Sequence, residues 1–404
     1  MRALYAFGLL ILIAFLGSRF LFKRKKVLSA LNFFFLSGLI YIFVGYLLGA
    51  EGLNILTPDV IRGLNPLISL GLGWIGFIFG FQLESKYIRR FPGKYLGFSF
   101  LQFVIIFIIA LVVFYLLLSV ILNESSRNLI LGMSIAFGLL ISLNSATLLN
   151  AASFTLQKKG SLFYLGRFLV SVSGFWGILG LAFLSGFWHF PFLSGMIFLK
   201  GFIFLLISII FPVILGFVFH SLTKQRTEEQ DIMVYLMGMV FFASGGAFYF
   251  NLPPLFVSMV LGITYANLTG KQEHLYPVLL STEKPLYVIL LILIGSLWKI
   301  EVSLKIALLV LVLIALRVFV YTVPLPFLRR ILHFPEKLYP VFGLCFLSSG
   351  GMGIAFAFSL KLIYQLSLTD IFLSSALIAI IVSEIISPWA LKKSFKIMGQ
   401  RERA

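Results

Sequence analysis

The chain has one cysteine, Cys345, set inside an apolar run, which excludes an intrachain disulfide and any thiolate-cluster metal site. Its histidines, His189, His220, His274 and His333, are scattered at the ends of apolar stretches, so no His-built metal centre and no cofactor is implied. Charged residues make up 11% of the sequence against 60% hydrophobic, and the 14 acidic residues are outnumbered by 32 Lys and Arg. No aspartate falls in the middle of an apolar stretch. Paired carboxylates, a nucleophile beside a base and a metal cluster are all missing at any one depth, so an enzyme is the least supported class.

A mean hydropathy of +1.07 leaves too little polar sequence for a separate soluble domain, and the whole chain, 1–404, reads as one membrane domain. The net charge of +18 does not point to nucleic acid, because the basic residues sit in short clusters between apolar stretches, with no basic helix or aromatic-basic module. The first apolar run, Ala6 to Phe22, has its basic cluster Lys23–Lys26 after it, which marks a retained span and not a signal peptide. Further spans fall at 31–49, 63–82, 95–122, 128–150, 163–186, 194–219, 231–250, 253–268, 285–299, 303–325, 338–362 and 370–391, making about thirteen transmembrane helices in an all-α polytopic protein. Lys and Arg gather on alternate loops: Arg19 with Lys23–Lys26, Lys86–Lys94, Lys158–Arg167, Lys224 with Arg226, Lys271 with Lys284, Arg329–Lys337 and the tail from Lys392. The opposite loops hold Arg2, Arg62, Arg127, Lys299, Lys305 and Lys361. This asymmetry puts the N-terminus outside and the C-terminus inside a multi-pass protein of the cell (inner) membrane, with the lipid bilayer as its surroundings.

Two spans carry sequence that a lipid-facing helix does not need. The fifth contains Ser142-Leu143-Asn144-Ser145-Ala146-Thr147, and the twelfth Ser348-Ser349-Gly350-Gly351-Met352-Gly353. Small residues relax the backbone and side-chain hydroxyls or amides satisfy freed peptide groups, so both segments are candidate breaks whose half-helix ends bind ions. Taken singly, each is equally readable as a small-residue packing face. Together they favour broken helices, because they lie seven spans apart and an odd separation gives opposite orientation in an inverted repeat. No strand precedes the glycine-rich run, which removes a nucleotide-loop reading.

Three charges fall within spans. Arg317 stands about nine residues, or ~13 Å, from the inner end of its helix, too far to snorkel comfortably. It needs compensation from half-helix carbonyls, water, Glu384 or an anion. Lys200, near an outer end, needs only snorkelling. Glu384 lies about seven residues, or ~10 Å, before the inner end of the last span; it reads as a gate or proton carrier, or, with more weight, as an inner-end residue paired with Lys392 or Lys393.

An ordered set of segments carries a resemblance over nearly the whole chain: Gly45–Gly49 with Gly52-Leu53, Gly71 to Glu84, Ser142 to Thr147, Gly166-Arg167, Pro254 to Asn267, Gly350-Gly351 and Ser383 to Pro388. The chain resembles the monovalent cation:proton antiporters with the sodium/hydrogen exchanger fold. The resemblance implies inverted repeats with two crossed broken helices, a core bundle near 95–186 and 303–391, an interface bundle near 6–82 and 231–299 that makes a homodimer, and a linking helix near 194–219. It also implies exchange of monovalent ions for protons through an Asp in the helix after the first break. Counting from Gly166-Arg167, that acidic position falls on Gly177 and its neighbour on Trp176, so this chain is a divergent member lacking the core Asp.

Three functions follow. The leading one is a secondary transporter of sodium or potassium against protons with atypical coupling. In it Asn144, Ser145 and Thr147 line the ion site, Ser349, Gly350 and Gly351 supply the facing break, and Arg317 organises the crossing. The alternatives are an anion transporter or uniporter using Arg317, and a non-transporting membrane scaffold or sensor.

Overall fold

The computed structural model describes residues 2–21, 37–122, 126–145, 148–149, 161–188, 197–224, 229–270, 272–299, 303–331, 340–364 and 367–401. Thr147 of the expected ion site lies outside the described residues. In chain order the helices are α1 (Arg2–Leu21), α2 (Ile40–Leu48), α3 (Pro58–Gly63), α4 (Asn65–Phe81), α5 (Ser85–Ile88), α6 (Gly93–Ile121), α7 (Arg127–Ser142) and α8 (Ser161–Trp188). They continue with α9 (Ile197–Thr223), α10 (Glu229–Tyr249), α11 (Pro254–Thr269), α12 (Gln272–Leu297), α13 (Leu304–Thr322) and α14 (Leu325–Ile331). A 3-10 segment (Pro340–Phe346), α15 (Gly350–Ile363) and α16 (Ser367–Arg401) follow among the described residues. Among the described residues six stretches, in α6, α8, α9, α10, α13 with α14, and α16, are long and apolar enough to cross a membrane, and shorter apolar helices accompany them. The protein is a nearly all-helical, multi-pass membrane protein.

Local sequence sets many of the boundaries. Ser126 accepts from the Leu129 N–H at the start of α7, Thr57 from Val60 at α3, and Ser303 from Lys305 at α13, so a side-chain oxygen meets an otherwise unpartnered first-turn amide. The Pro253-Pro254 pair opens α11, and Gly270, at φ +63°, closes it in the left-handed conformation. Two helices overrun the expected spans. Helix α12 starts at Gln272 and not near 285, and α16 continues to Arg401 where an end near 391 is expected. Their polar extensions remain helical because Gln, Glu, Lys and Arg are good helix formers once the bilayer no longer penalises them.

Helices α2, α4, α10, α11 and α12, with α1, form one closely packed group, while α6, α7, α8, α13, the 3-10 segment, α15 and α16 form another; α9 lies against α8, α10 and α11. Within the first group, glycines bring backbones into contact. A Cβ on Gly76 would strike the carbonyl of Leu255, one on Gly80 the carbonyl of Met259, and one on Gly262 the carbonyl of Phe77, so α4 and α11 are mutually fitted through Gly76-x-x-x-Gly80. The same reciprocity joins α2 to α12, where Gly45 meets Ile292 and Gly295 meets Ile42. Contacts between the two groups are sparser and run mainly from α8 to α11 and from α15 to α4 and α11.

Because a backbone carbonyl cannot swing aside, Gly80→Ala should lower stability by about 1–3 kcal/mol. Gly238→Ala, whose added carbon meets open space, should not lower it. Thermal unfolding of the purified variants in detergent measures both.

Candidate functional site

Two helices stop inside the second group. Helix α7 ends at Ser142, Leu143 turns extended (φ −78°, ψ 132°), and residues 143–145 are non-helical. The Ser142 hydroxyl donates to the Leu139 carbonyl at 2.7 Å, a local bond of the kind that competes with helix continuation. On the other side the 3-10 segment ends at Phe346, residues 347–349 are non-helical, and α15 opens at Gly350. Gly350 has φ +46°, a conformation that costs glycine little and L side chains much. The two interruptions meet directly: the Ser145 N–H donates to the Ser348 carbonyl at 2.9 Å.

Carbonyls freed by these interruptions collect around Arg317 of α13, which is 6% exposed. Its Nη2 donates to the Leu143 carbonyl at 2.5 Å, to Asn144 Oδ1 at 3.2 Å and, more weakly, to the Phe346 carbonyl at 3.5 Å, while Nη1 reaches the Leu140 carbonyl at 3.4 Å. One guanidinium thus caps the C-terminal ends of both interrupted helices, where the helix dipole is negative. Of the ways to compensate a buried Arg, the structure uses half-helix carbonyls. One turn further along α13, the Tyr321 hydroxyl lies 3.0 Å from the Ile141 carbonyl and 3.2 Å from that of Ser142, and its ring centre is 5.7 Å from the guanidinium carbon. Nothing but the i,i+4 spacing from Arg317 marks Tyr321 in the sequence.

Glu384 corrects its favoured sequence reading. It is fully buried in α16 and not paired with Lys392 or Lys393; both lysines are exposed, and Lys393 lies over the Trp389 ring, 5.0 Å from its centre. The carboxylate accepts from the Ser348 hydroxyl at 2.8 and 3.0 Å and from the Gly350 N–H at 2.7 Å. It therefore occupies the N-terminal, positive end of α15, as the cation occupies the negative ends of the other half-helices. Among the described residues neither Arg317 nor Glu384 forms an ion pair, so each charge is held by oriented backbone and not by its opposite.

The other expected residues divide. Asn144, 3% exposed, joins the cluster and donates through Nδ2 to Ser173 Oγ of α8 at 3.1 Å. Ser173 lies four residues before Gly177, on the same face of α8, and sequence reasoning did not single it out. Ser349 is buried at the crossing with its hydroxyl unpartnered, as is Nε of Arg317. Gly177 also faces the interruption, but a Cβ there would lie 2.5 Å from a methyl of Leu143, so the space beside it is filled by leucine. Gly351 turns toward Tyr287 of α12, whose ring a Cβ would meet at 2.8 Å. Trp176 is not brought to the crossing. Its ring packs at 4.9 Å on Phe100 of α6 and 5.1 Å on Phe175.

The arrangement of helices and interruptions has a counterpart among solved structures. The chain is similar over 99% of its length to a sodium proton antiporter from Methanocaldococcus jannaschii solved at pH 8, covering 100% of that chain with a TM-score of 0.69 at 15% identity. No family model and no curated protein matches the sequence.

Removing the guanidinium strands the buried Leu143 and Phe346 carbonyls, so Arg317→Leu should cost about 3–5 kcal/mol, and Tyr321→Phe, which removes one hydroxyl donor and leaves the guanidinium in place, about 1 kcal/mol. Unfolding in detergent gives both values, and amide exchange should rise first at residues 139–145 in the Arg317 variant.

Proposed function

We propose that the protein is a secondary transporter exchanging a monovalent cation, sodium or potassium, for protons, with Glu384 of α16 taking the part that an acid on α8 would otherwise play. The observation that carries this reading is a fully buried carboxylate fixed at a helix interruption, beside the unpartnered Ser349 hydroxyl and across from Asn144. A carboxylate at such a place binds a proton or a partly dehydrated cation, not both, and that exclusion is the chemical basis of exchange. Ser348 and the Gly350 amide orient it, Ser349, Ser145 and Asn144 offer further oxygens, and Arg317 keeps the two interruptions together so that the site moves as a unit. The likeness to a sodium proton antiporter supports the same class.

The surrounding organisation belongs to the proposal. About thirteen spans run with the N-terminus outside and the C-terminus in the cytoplasm of the cell membrane, as inverted repeats. The group containing α7, α8, α13, α15 and α16 acts as the moving core, the group containing α4, α10, α11 and α12 as the interface that dimerises, and α9 links them. The anion reading has less support because both terminal nitrogens of Arg317 are already occupied by acceptors. A non-transporting scaffold is favoured by one observation, the close fit of Leu143 onto Gly177, which closes the place where an acid would stand.

Proteoliposomes with an entrapped pH-sensitive dye should collapse an imposed pH gradient when sodium or potassium is added, and Glu384→Gln should fall to the empty-liposome baseline. Wild-type protein that moves no protons with sodium, potassium or lithium at any pH tried rejects cation exchange. Chloride uptake lost in Arg317→Gln would establish the anion reading instead.

A further inference from the structure

Away from the crossing, on the side of the Lys- and Arg-rich loops, a cavity of about 560 Å³ opens between the two helix groups. Leu83, Leu96, Phe100, Val172, Trp176 and Ile263 give it apolar walls from the end of α4 and from α6, α8 and α11. Its volume is within the range of small-ligand sites, roughly 300–1,000 Å³. Helix α6 exposes Phe100, Ile108, Val112, Leu116 and Val120 along its length, so the cavity wall is continuous with a surface suited to acyl chains.

The rim has the opposite character. Lys86, Arg89 and Arg90 follow the lining residue Ser85 on α5 and the turn after it, with the Lys86 ammonium beside Gly270 at the end of α11, and Lys94 stands one turn before the lining residue Gly97 on α6. Arg167 stands on α8 next to Phe168, the residue on which the basic turn packs. Phe91, stacked on Phe168 at 4.1 Å, pins the basic turn to α8. Among the described residues none of these five cations has an ion pair.

An occupant matched to both parts needs an elongated apolar portion and an anionic group at one end. A free inorganic anion would leave the walls unused, and a neutral hydrocarbon would leave the rim uncompensated. We propose that this cavity is a binding site for an anionic phospholipid, with an acyl chain against Phe100 and Trp176 and its phosphate on Lys86, Arg90, Lys94 and Arg167. The attraction is that of a basic cluster for anionic headgroups, focused onto one site by a preformed slot. Because the slot lies between the helix groups, an occupying chain resists their relative displacement, so the lipid is a regulator of whatever motion the fold performs. The inference does not depend on the identity of a transported ion.

Gly97 makes the test selective, since a Cβ there meets nothing within 4 Å and a larger side chain projects into the empty space. Full-length protein in detergent is incubated with phosphatidylglycerol or phosphatidylcholine, and retained lipid is counted by native mass spectrometry. Wild type should retain phosphatidylglycerol in preference to phosphatidylcholine, Gly97→Phe should lose that retention with its melting temperature unchanged, and each of Lys86→Gln, Arg90→Gln and Lys94→Gln should weaken it roughly fivefold. Brominated phosphatidylglycerol should quench wild-type fluorescence more than that of Trp176→Phe. Equal retention of the two lipids, undiminished retention by Gly97→Phe, or equal quenching in the two proteins overturns the proposal.

Discussion

Arg317 bears on the carbonyls of Leu140, Leu143 and Phe346 together, and the crossing cannot be assembled without something in that place. An interrupted helix inside a bilayer leaves backbone acceptors that water cannot reach, at a cost of several kcal/mol for each group left bare. A guanidinium presents its donors in a fixed plane and keeps its charge, so it serves two helix ends from one position where an ammonium would serve one. The burial of Arg317 and the existence of both interruptions are therefore one arrangement seen from two sides.

Glu384 completes the electrostatic pattern by the mirror rule, an anion on amides where Arg317 is a cation on carbonyls. A charge held by oriented dipoles is neutralised locally, which is why the two ions need no contact with each other. It also separates their duties. Removing Arg317 exposes unsatisfied backbone, whereas neutralising Glu384 leaves the Gly350 amide and the Ser348 hydroxyl with a partner of similar shape.

The alternation of basic loops and the length of the apolar runs made the membrane class and most helix positions readable, because lipid imposes a one-dimensional rule that sequence obeys directly. The interruptions were readable too, since Ser142, Asn144, Ser349 and Gly350 are residues whose local chemistry permits a break. Depth was harder. Glu384 reads as an inner-edge residue if the last span ends where Lys392 appears, but α16 runs on to Arg401. The partners that hold the carboxylate, Ser348 and Gly350, are 36 and 34 residues away, beyond the reach of any local pattern. Side-chain direction was equally hidden. Trp176 and Gly177 are neighbours on α8, yet one lines the cavity between the helix groups and the other abuts Leu143.

The backbone-to-backbone seams of α4 with α11 and of α2 with α12 carry a mechanical consequence. Surfaces matched at the level of peptide carbonyls interlock like toothed plates, so the helices they join cannot creep past one another by small rotamer adjustments. The boundary where α8 meets α11 and α15 meets α4 has no such interlock, so resistance to sliding is concentrated on one side of the molecule by where the glycines fall.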